Sequence, residues 1–197
     1  MTPQADSILE LFRSRGAYLR GHFRLTSGLH SSEYLQSALV LQHPEAAEEL
    51  GRRLAGELLR IAPGRPGMVV SPALGGLIIG HEVARALKTR FLFTERDGAT
   101  REMTLRRGFQ VTRGESAVVV EDVITTGGST REVIDVLQAN GVTVLAAGSL
   151  IDRSGGEADV GVPRVALATL AVSTHDPGQC PLCAQGIPAI KPGSRPT

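Results

Sequence analysis

Ala117–Val118–Val119–Val120 is a run of small and β-branched apolar residues that passes directly into two acids, Glu121 and Asp122, and then into Thr125–Thr126–Gly127–Gly128–Ser129–Thr130. A short, wholly apolar run suits a strand buried on both faces. Paired glycines let the backbone turn sharply, and Val133, Ile134, Val136 and Leu137 give the following helix an apolar side that Asn140–Gly141 closes. Strand, glycine turn and helix recur earlier at Met68–Val69–Val70–Ser71, Gly75–Gly76 and Leu77–Leu87. Further strands are expected at Phe91–Phe93, 142–150 and 165–170. One helix is expected over 7–16, where Ser7 and Glu10 have capping-box spacing, and another from Pro44 to just before Pro63, with Ala47, Leu50, Leu54, Leu58 and Ile61 on one face. The alternation predicts an α/β fold, a central parallel β-sheet flanked by helices, with ligands collecting at the carboxyl ends of the strands.

The 197 residues, 42% of them hydrophobic, fit one domain over 1–197 with its core at 64–150. Lys+Arg of 21 against Asp+Glu of 20 excludes a general nucleic-acid or membrane-surface binder, so any anion site has to be local. No apolar run approaches the roughly 18 residues of a membrane span. Asp6 and Glu10 stand where a signal peptide would be basic and then apolar, and two cysteines make no disulfide framework, so a cytoplasmic location is expected. The segment 95–108 is charged, poor in large apolar groups and read as a mobile excursion, and the Pro/Gly-rich chain beyond Ser173 as irregular.

The turn after Asp122 has a specific chemical use. Gly127 and Gly128 allow backbone amides close to a ligand, Thr125, Thr126, Ser129 and Thr130 add hydroxyls, and the new helix aims its free N–H groups at the same point. A phosphate would sit there. Ser129 and Glu132 also satisfy a capping box, so the turn has a blander use in starting a helix. That use leaves the two acids unexplained, because carboxylates beside a phosphate repel it unless they bind hydroxyls or a metal. The ATP-type loop G-x-x-x-x-G-K-[ST] and the dinucleotide motif G-x-G-x-x-G are both absent.

The segment resembles the phosphoribosyl pyrophosphate signature of type I phosphoribosyltransferases: an apolar strand, two acids, two further residues and a T-x-G-x-[ST] turn. The resemblance implies that fold, with Glu121 and Asp122 on the ribose hydroxyls, Thr125, Thr126, Gly127, Gly128 and Ser129 around the 5-phosphate, and Val123 and Ile124 between them in the same phosphoribosyl pyrophosphate site. It also implies a pyrophosphate loop at Ala73, Leu74 and Gly75. Phe23–Arg24–Leu25–Thr26–Ser27–Gly28, with Ser31 and Tyr34, is similar to the F-x-L-x-S-G-x-x-S-x-x-[YF] pattern of orotate phosphoribosyltransferases in their compact bacterial form. Residues 1–40 and 151–197 would then form a hood and tail over the base, with Thr125, Arg153, Tyr34 and Leu35 at the orotate. A guanidinium can grip the orotate carboxylate with two hydrogen bonds, although an arginine beside Asp152 can equally serve in a salt bridge.

The chain departs from that family in its lysines. The familiar enzymes carry lysine at the places of Thr26 and near Leu74 and in the mobile loop, whereas here Lys88 and Lys191 are the only two. Arg96, Arg101, Arg106 and Arg107 are what 95–108 offers, with Arg96 and Arg101 the candidate catalytic groups beside Asp122. An arginine neutralises pyrophosphate but gives up no proton near neutral pH. The resemblance further implies Mg²⁺ carried mainly by substrate oxygens, the substrates orotate and phosphoribosyl pyrophosphate, and a homodimer. Alternatives are another base as acceptor, or a non-catalytic sensor of phosphoribosyl pyrophosphate. His22, His30 and His81 have no evident partners in the sequence. Cys180–Pro181–Leu182–Cys183 has the spacing of half a zinc site, with His175 as the one further ligand in reach, so that zinc would need a fourth ligand or a second subunit; a disulfide or two free thiols are the other readings.

Overall fold

The computed structural model describes residues 3–25 and 27–191; Thr26 lies outside them. The chain runs α1 (Pro3–Ser14), β1 (Tyr18–Arg24), β2 (His30–Leu35), α2 (Ala38–Leu41), α3 (Pro44–Ile61), β3 (Met68–Pro72), α4 (Gly76–Leu87), β4 (Arg90–Arg96), β5 (Met103–Leu105), β6 (Ser116–Ile124), α5 (Gly128–Ala139), β7 (Thr143–Asp152), β8 (Arg164–Thr169), β9 (Thr174–His175) and α6 (Pro181–Ala184). Six strands form the main sheet in the order β5-β4-β3-β6-β7-β8, parallel except for β5 at the edge. The expected alternation thus yields the expected α/β architecture.

Helices cover both faces. On one, Ile8, Leu9 and Phe12 of α1, Leu50, Leu54 and Leu58 of α3 and Ile79 and Val83 of α4 bury against Val118 and Val120. On the other, Val133, Ile134 and Leu137 of α5 pack on Met68, Val70, Ala117 and Val119. Each apolar strand residue therefore meets a helix, which is why these strands read as unbroken apolar runs. α4 comes close enough to β3 and β6 that a Cβ at Gly76 would stand 2.9 Å from the Ser71 Cβ and 3.0 Å from the Val120 carbonyl oxygen.

Four expectations need correction. α1 starts at Pro3 rather than at a Ser7 cap; Ser7 lies within the helix, its hydroxyl accepting from Arg53 Nη1 at 3.4 Å. α5 follows Gly127, which holds φ +80°, so Ser129 sits inside the first turn instead of capping it. The segment 95–108 is a β-hairpin, with Thr94 opposite Leu105 and Arg96 opposite Met103. Its two apolar anchors, buried Met103 and half-buried Leu105, pack on the α5 side of the sheet and were too few to read among the charges. The tail, expected to be irregular, is organised over its described residues: β9 pairs with β2, and Ile190 bridges Phe23, with its N–H donating to the His22 carbonyl. β1, β2 and β9 make a second, antiparallel sheet.

Candidate active site

The carboxyl ends of β6 and β7 and the small sheet enclose a cavity of about 800 Å³. Asp122, Val123, Thr125 and Thr126 bound it from β6 and the following turn, Arg153 and Ser154 from the end of β7, Leu25, Tyr34 and Leu35 from the small sheet, and Ala171–Thr174 from the tail. Two ends of the sequence and its middle thus share one wall.

Asp122 and Glu121 alternate along β6 and so have different surroundings. Asp122 faces the cavity, and a Cβ at Gly75 would stand 2.6 Å from its Oδ1. A side chain at 75 would displace that carboxylate, so glycine lets the loop 73–75 lie against it. Burial pushes the Asp122 carboxyl above its usual range, against a stabilising hydrogen bond from the Val123 N–H. Glu121 does not line the cavity; its carboxylate accepts the Thr130 hydroxyl. Burial pushes its pKa up to about 7, helped by the negative charges of Asp122 and Glu132 and opposed by the Thr130 bond.

Past the acids the chain turns at Thr125 and Thr126, both exposed on the cavity side, and enters α5 through Gly127. The first N–H groups of a helix have no intrahelical acceptor, and the dipole there favours an anion. Gly127, Gly128 and Ser129 complete the turn without lining the cavity. Ile124 is buried beneath, its carbonyl accepting the Arg153 N–H at 2.8 Å, which ties the ends of β6 and β7 together. In the loop before α4 the Ala73–Leu74 peptide is cis and the Leu74 side chain is exposed.

Arg153 is the most informative side chain. Only 6% of it is exposed, yet among the described residues no carboxylate forms an ion pair with it. Its Nη2 donates to Ser31 Oγ and the Glu33 carbonyl, both at 3.1 Å, while the buried Nε has no hydrogen-bond partner. Burial lowers the pKa of this guanidinium, with the Glu33 charge working in the other direction. The salt bridge with Asp152 that the sequence allowed is absent. Asp152 instead holds Arg164 Nη1 at 2.6 Å and accepts from the Ser154 N–H and hydroxyl. Tyr34 stands beside Arg153 and Asp122: burial raises its phenol pKa, the Asp122 charge adds to that, and Arg153 opposes it.

The structure therefore gathers Asp122, Val123, Thr125, Thr126, Arg153, Tyr34 and Leu35 on one cavity, with Gly75 behind Asp122. Arg96 and Arg101 are placed elsewhere. Arg96 Nη2 pairs with Glu132 at 2.6 Å and its Nη1 donates to the Arg101 carbonyl, and the Arg101 side chain is exposed on the hairpin at φ +64°. Arg107 is bound to Glu95 by two bonds of 2.7 Å. Sequence reasoning missed Ser31 and the Glu33 carbonyl as supports for Arg153, although Ser31 is the second serine of the hood pattern. It also missed the tail residues 171–174, which no motif marks.

Known proteins share this fold. The phosphoribosyl transferase domain family matches residues 38–169. An orotate phosphoribosyltransferase of Heliobacterium modesticaldum is 54% identical over 190 residues, covering 96% of this chain and 98% of the relative. One from Thermotoga maritima is 50% identical over 188 residues, 95% of this chain and 98% of the relative. Among solved structures, orotate phosphoribosyltransferase from Aeropyrum pernix superposes with a TM-score of 0.67 at 33% identity, over 83% of this chain and 93% of that one. An adenine phosphoribosyltransferase from Thermoanaerobacter pseudethanolicus reaches 0.64 at 18% identity, over 82% of this chain and 99% of that one, a likeness of fold.

Proposed function

The chain belongs to the orotate phosphoribosyltransferases, and from that premise we propose how its residues divide the reaction. It transfers the phosphoribosyl group of phosphoribosyl pyrophosphate to orotate, giving orotidine 5-phosphate and pyrophosphate, a step of pyrimidine biosynthesis. In our reading Arg153 receives the orotate carboxylate, Tyr34 and Leu35 flank the ring, and Thr125 reaches its polar edge. Asp122 holds the ribose hydroxyls from one side, and the amides and hydroxyls of 125–129 hold the 5-phosphate. Glu121, tied to Thr130, braces the strand end and joins the ribose contacts when its carboxylate turns. The loop 73–75 takes the pyrophosphate beside Asp122.

The observation that carries this division is a buried guanidinium on a cavity wall that forms no ion pair with any carboxylate among the described residues. Leaving a buried charge unpaired is strongly unfavourable, and an anionic ligand removes that cost on binding. Ser31 and the Glu33 carbonyl fix two of the guanidinium hydrogens, so the rest are aimed before orotate arrives. Displacement at C1 leaves positive charge on the ribose and negative charge on the departing pyrophosphate. Catalysis then rests on holding the reactants in line and neutralising the leaving group. No protein nucleophile is required.

Mg²⁺ belongs to the same reading. Asp122 and Glu157 line the cavity, and neither joins a cluster of three or more metal-ligating groups among the described residues. That donor set fits an ion arriving on phosphate oxygens rather than one caged by protein. When bound, the ion offsets pyrophosphate charge. A homodimer is part of the proposal too: exposed Arg101 and Arg106 stand off their own cavity, where a neighbouring chain's site or a hairpin movement could use them. The cytoplasm is the implied compartment, which suits two free thiols. No described helix is long and apolar enough to cross a membrane.

The test is a steady-state comparison of orotate, uracil, adenine and hypoxanthine with phosphoribosyl pyrophosphate and Mg²⁺. Uracil lacks the carboxylate and should fall behind orotate by about 10⁴-fold in kcat/KM, as when a site loses the group it was built to bind. Comparable turnover of uracil, or preference for a purine, would remove Arg153 from this role.

A further inference from the structure

The second cluster of chemical interest lies outside the cavity, where β1, β2 and the C-terminal tail meet. His22 comes from β1, His30 from β2, and Cys180 and Cys183 from the two sides of the first turn of α6. Their donor atoms all lie within 4.8 Å of one another, although 158 residues separate His22 from Cys180. His22 Nε2 is 2.8 Å from His30 Nδ1, 3.4 Å from Cys180 Sγ and 3.8 Å from Cys183 Sγ, and Cys183 Sγ is 3.3 Å from His30 Nδ1. Zn–S and Zn–N bonds of about 2.3 and 2.0–2.1 Å give a tetrahedron with edges of about 3.3–3.8 Å. The three sulfur–nitrogen separations fall in that range. The nitrogen pair is closer and would open by about half an ångström around an ion.

A second observation concerns the proton on His22. Its Nδ1 lies 2.6 Å from the Ile187 carbonyl oxygen, which can only accept, so Nδ1 carries the hydrogen and Nε2 presents a lone pair to the cluster. Metal-bound histidines are commonly oriented in this way. The Ile187 backbone is itself held, its N–H bonding the Leu182 carbonyl, and Ile190 next along the chain pairs with β1. His22, His30 and Cys180 are buried, whereas Cys183 is exposed and gives an ion its entry side.

The geometry points to a structural zinc site formed by His22, His30, Cys180 and Cys183 of a single chain. Two thiolates and two imidazoles in tetrahedral reach, with no oxygen ligand among them, select zinc over magnesium. The site corrects the sequence expectation on three points. His22 and His30 do have partners, His175 is not a ligand but pairs with His30 along β9, and no second subunit is needed. Its physical purpose follows from its surroundings. Among the described residues beyond Ser173, Cys180 is the one buried apolar side chain, so a metal would hold the tail where a core cannot.

The experiment uses full-length protein made in zinc-supplemented medium and purified under reducing conditions without chelator. One zinc per chain by elemental analysis is expected, with both thiols unreactive toward an aromatic disulfide reagent until a chelator is added. Chelation should lower the thermal midpoint, and added zinc should restore it. Cobalt-exchanged wild-type protein should show intense tetrahedral ligand-field bands with sulfur-to-cobalt charge transfer, a readout that needs no variant to fold. Cys183→Ser, at the exposed ligand, should weaken the charge-transfer band and release zinc more readily. Absence of zinc from fully reduced protein, a Cys180–Cys183 disulfide, half a zinc per chain, or the weak spectrum of six-coordinate cobalt would each overturn the site.

Discussion

The end of β7 and the β4–β5 hairpin both present arginines, and the protein treats them oppositely. On the hairpin, Arg96 and Arg107 are exposed or half-exposed and each is matched by a carboxylate of the same chain, Glu132 and Glu95. At the end of β7, Arg153 is buried and forms no ion pair among the described residues, while Asp152 beside it is engaged by Arg164. Exposed pairs gain little, because water and salt screen both partners. A buried cation gains much from a partner, and here that partner is left to be supplied. Burial combined with missing charge compensation, more than the presence of arginine, marks where ligand chemistry is concentrated.

The largest expected effect separates the two regions directly. Arg153→Met should lower kcat/KM for orotate by about 30- to 1,000-fold, equivalent to roughly 2–4 kcal/mol for a desolvated charge pair. The thermal midpoint should stay level or rise, since an apolar side chain replaces an unpaired buried charge. Arg96→Met should leave the orotate KM within about twofold. Equal losses in the two variants would erase the distinction. Asp122→Asn comes next: if Asp122 holds the ribose hydroxyls as proposed, losing those charge-assisted bonds should reduce kcat/KM for phosphoribosyl pyrophosphate by about 10- to 100-fold. Circular dichroism of the same variant should show an intact fold.

A pH titration of stability asks what burial does without a compensating cation. Glu121 has its folded pKa raised from an ordinary 4.5 to about 7. Between those values the folded chain holds a proton that the unfolded chain has released, so stability falls as pH rises from 4.5 to about 7 and levels off above. Glu121→Gln should flatten that slope in denaturant titrations at successive pH values; an unchanged slope would assign it elsewhere. The smallest effect belongs to the hairpin. Replacing Arg96 and Arg101 together by Ala should cut kcat about threefold to tenfold, as for loss of screened charge near a leaving group, with orotate KM and thermal midpoint unmoved. Unaltered turnover would make the hairpin a passive edge.

Much of the main sheet was legible because its signals are local. The apolar runs of β3 and β6, the glycine turns and the Pro44 start of α3 each sit within a few residues of what they specify. The acids and turn after Val120 were legible for the same reason. The small sheet was not. β1 and β2 carry buried polar residues, His22, His30 and Ser31, where a strand pattern would have apolar ones, and the β1–β2 register shifts between Arg20 and Phe23. Nothing near His22 in sequence announces Cys180, and nothing near Arg153 announces that Arg164 will occupy Asp152. Such polar pairings exist only once the chain has folded back on itself.

The knitting of Ile190 to β1 bears on the order in which the enzyme comes into being on the ribosome. The strands, acids and turn that would receive the phosphoribosyl half are all synthesised by Thr130, and the parallel sheet is complete by Thr169. The wall that our reading gives to the base has to wait. Its first pieces, Leu25, Tyr34 and Leu35, are made before the main sheet, but they close against 171–174, and β1 is tied down by Ile190, which is made after it. In our reading, then, the residues assigned to the sugar-phosphate side precede the segment that completes the base side, and the base wall closes only once Ile190 has joined β1.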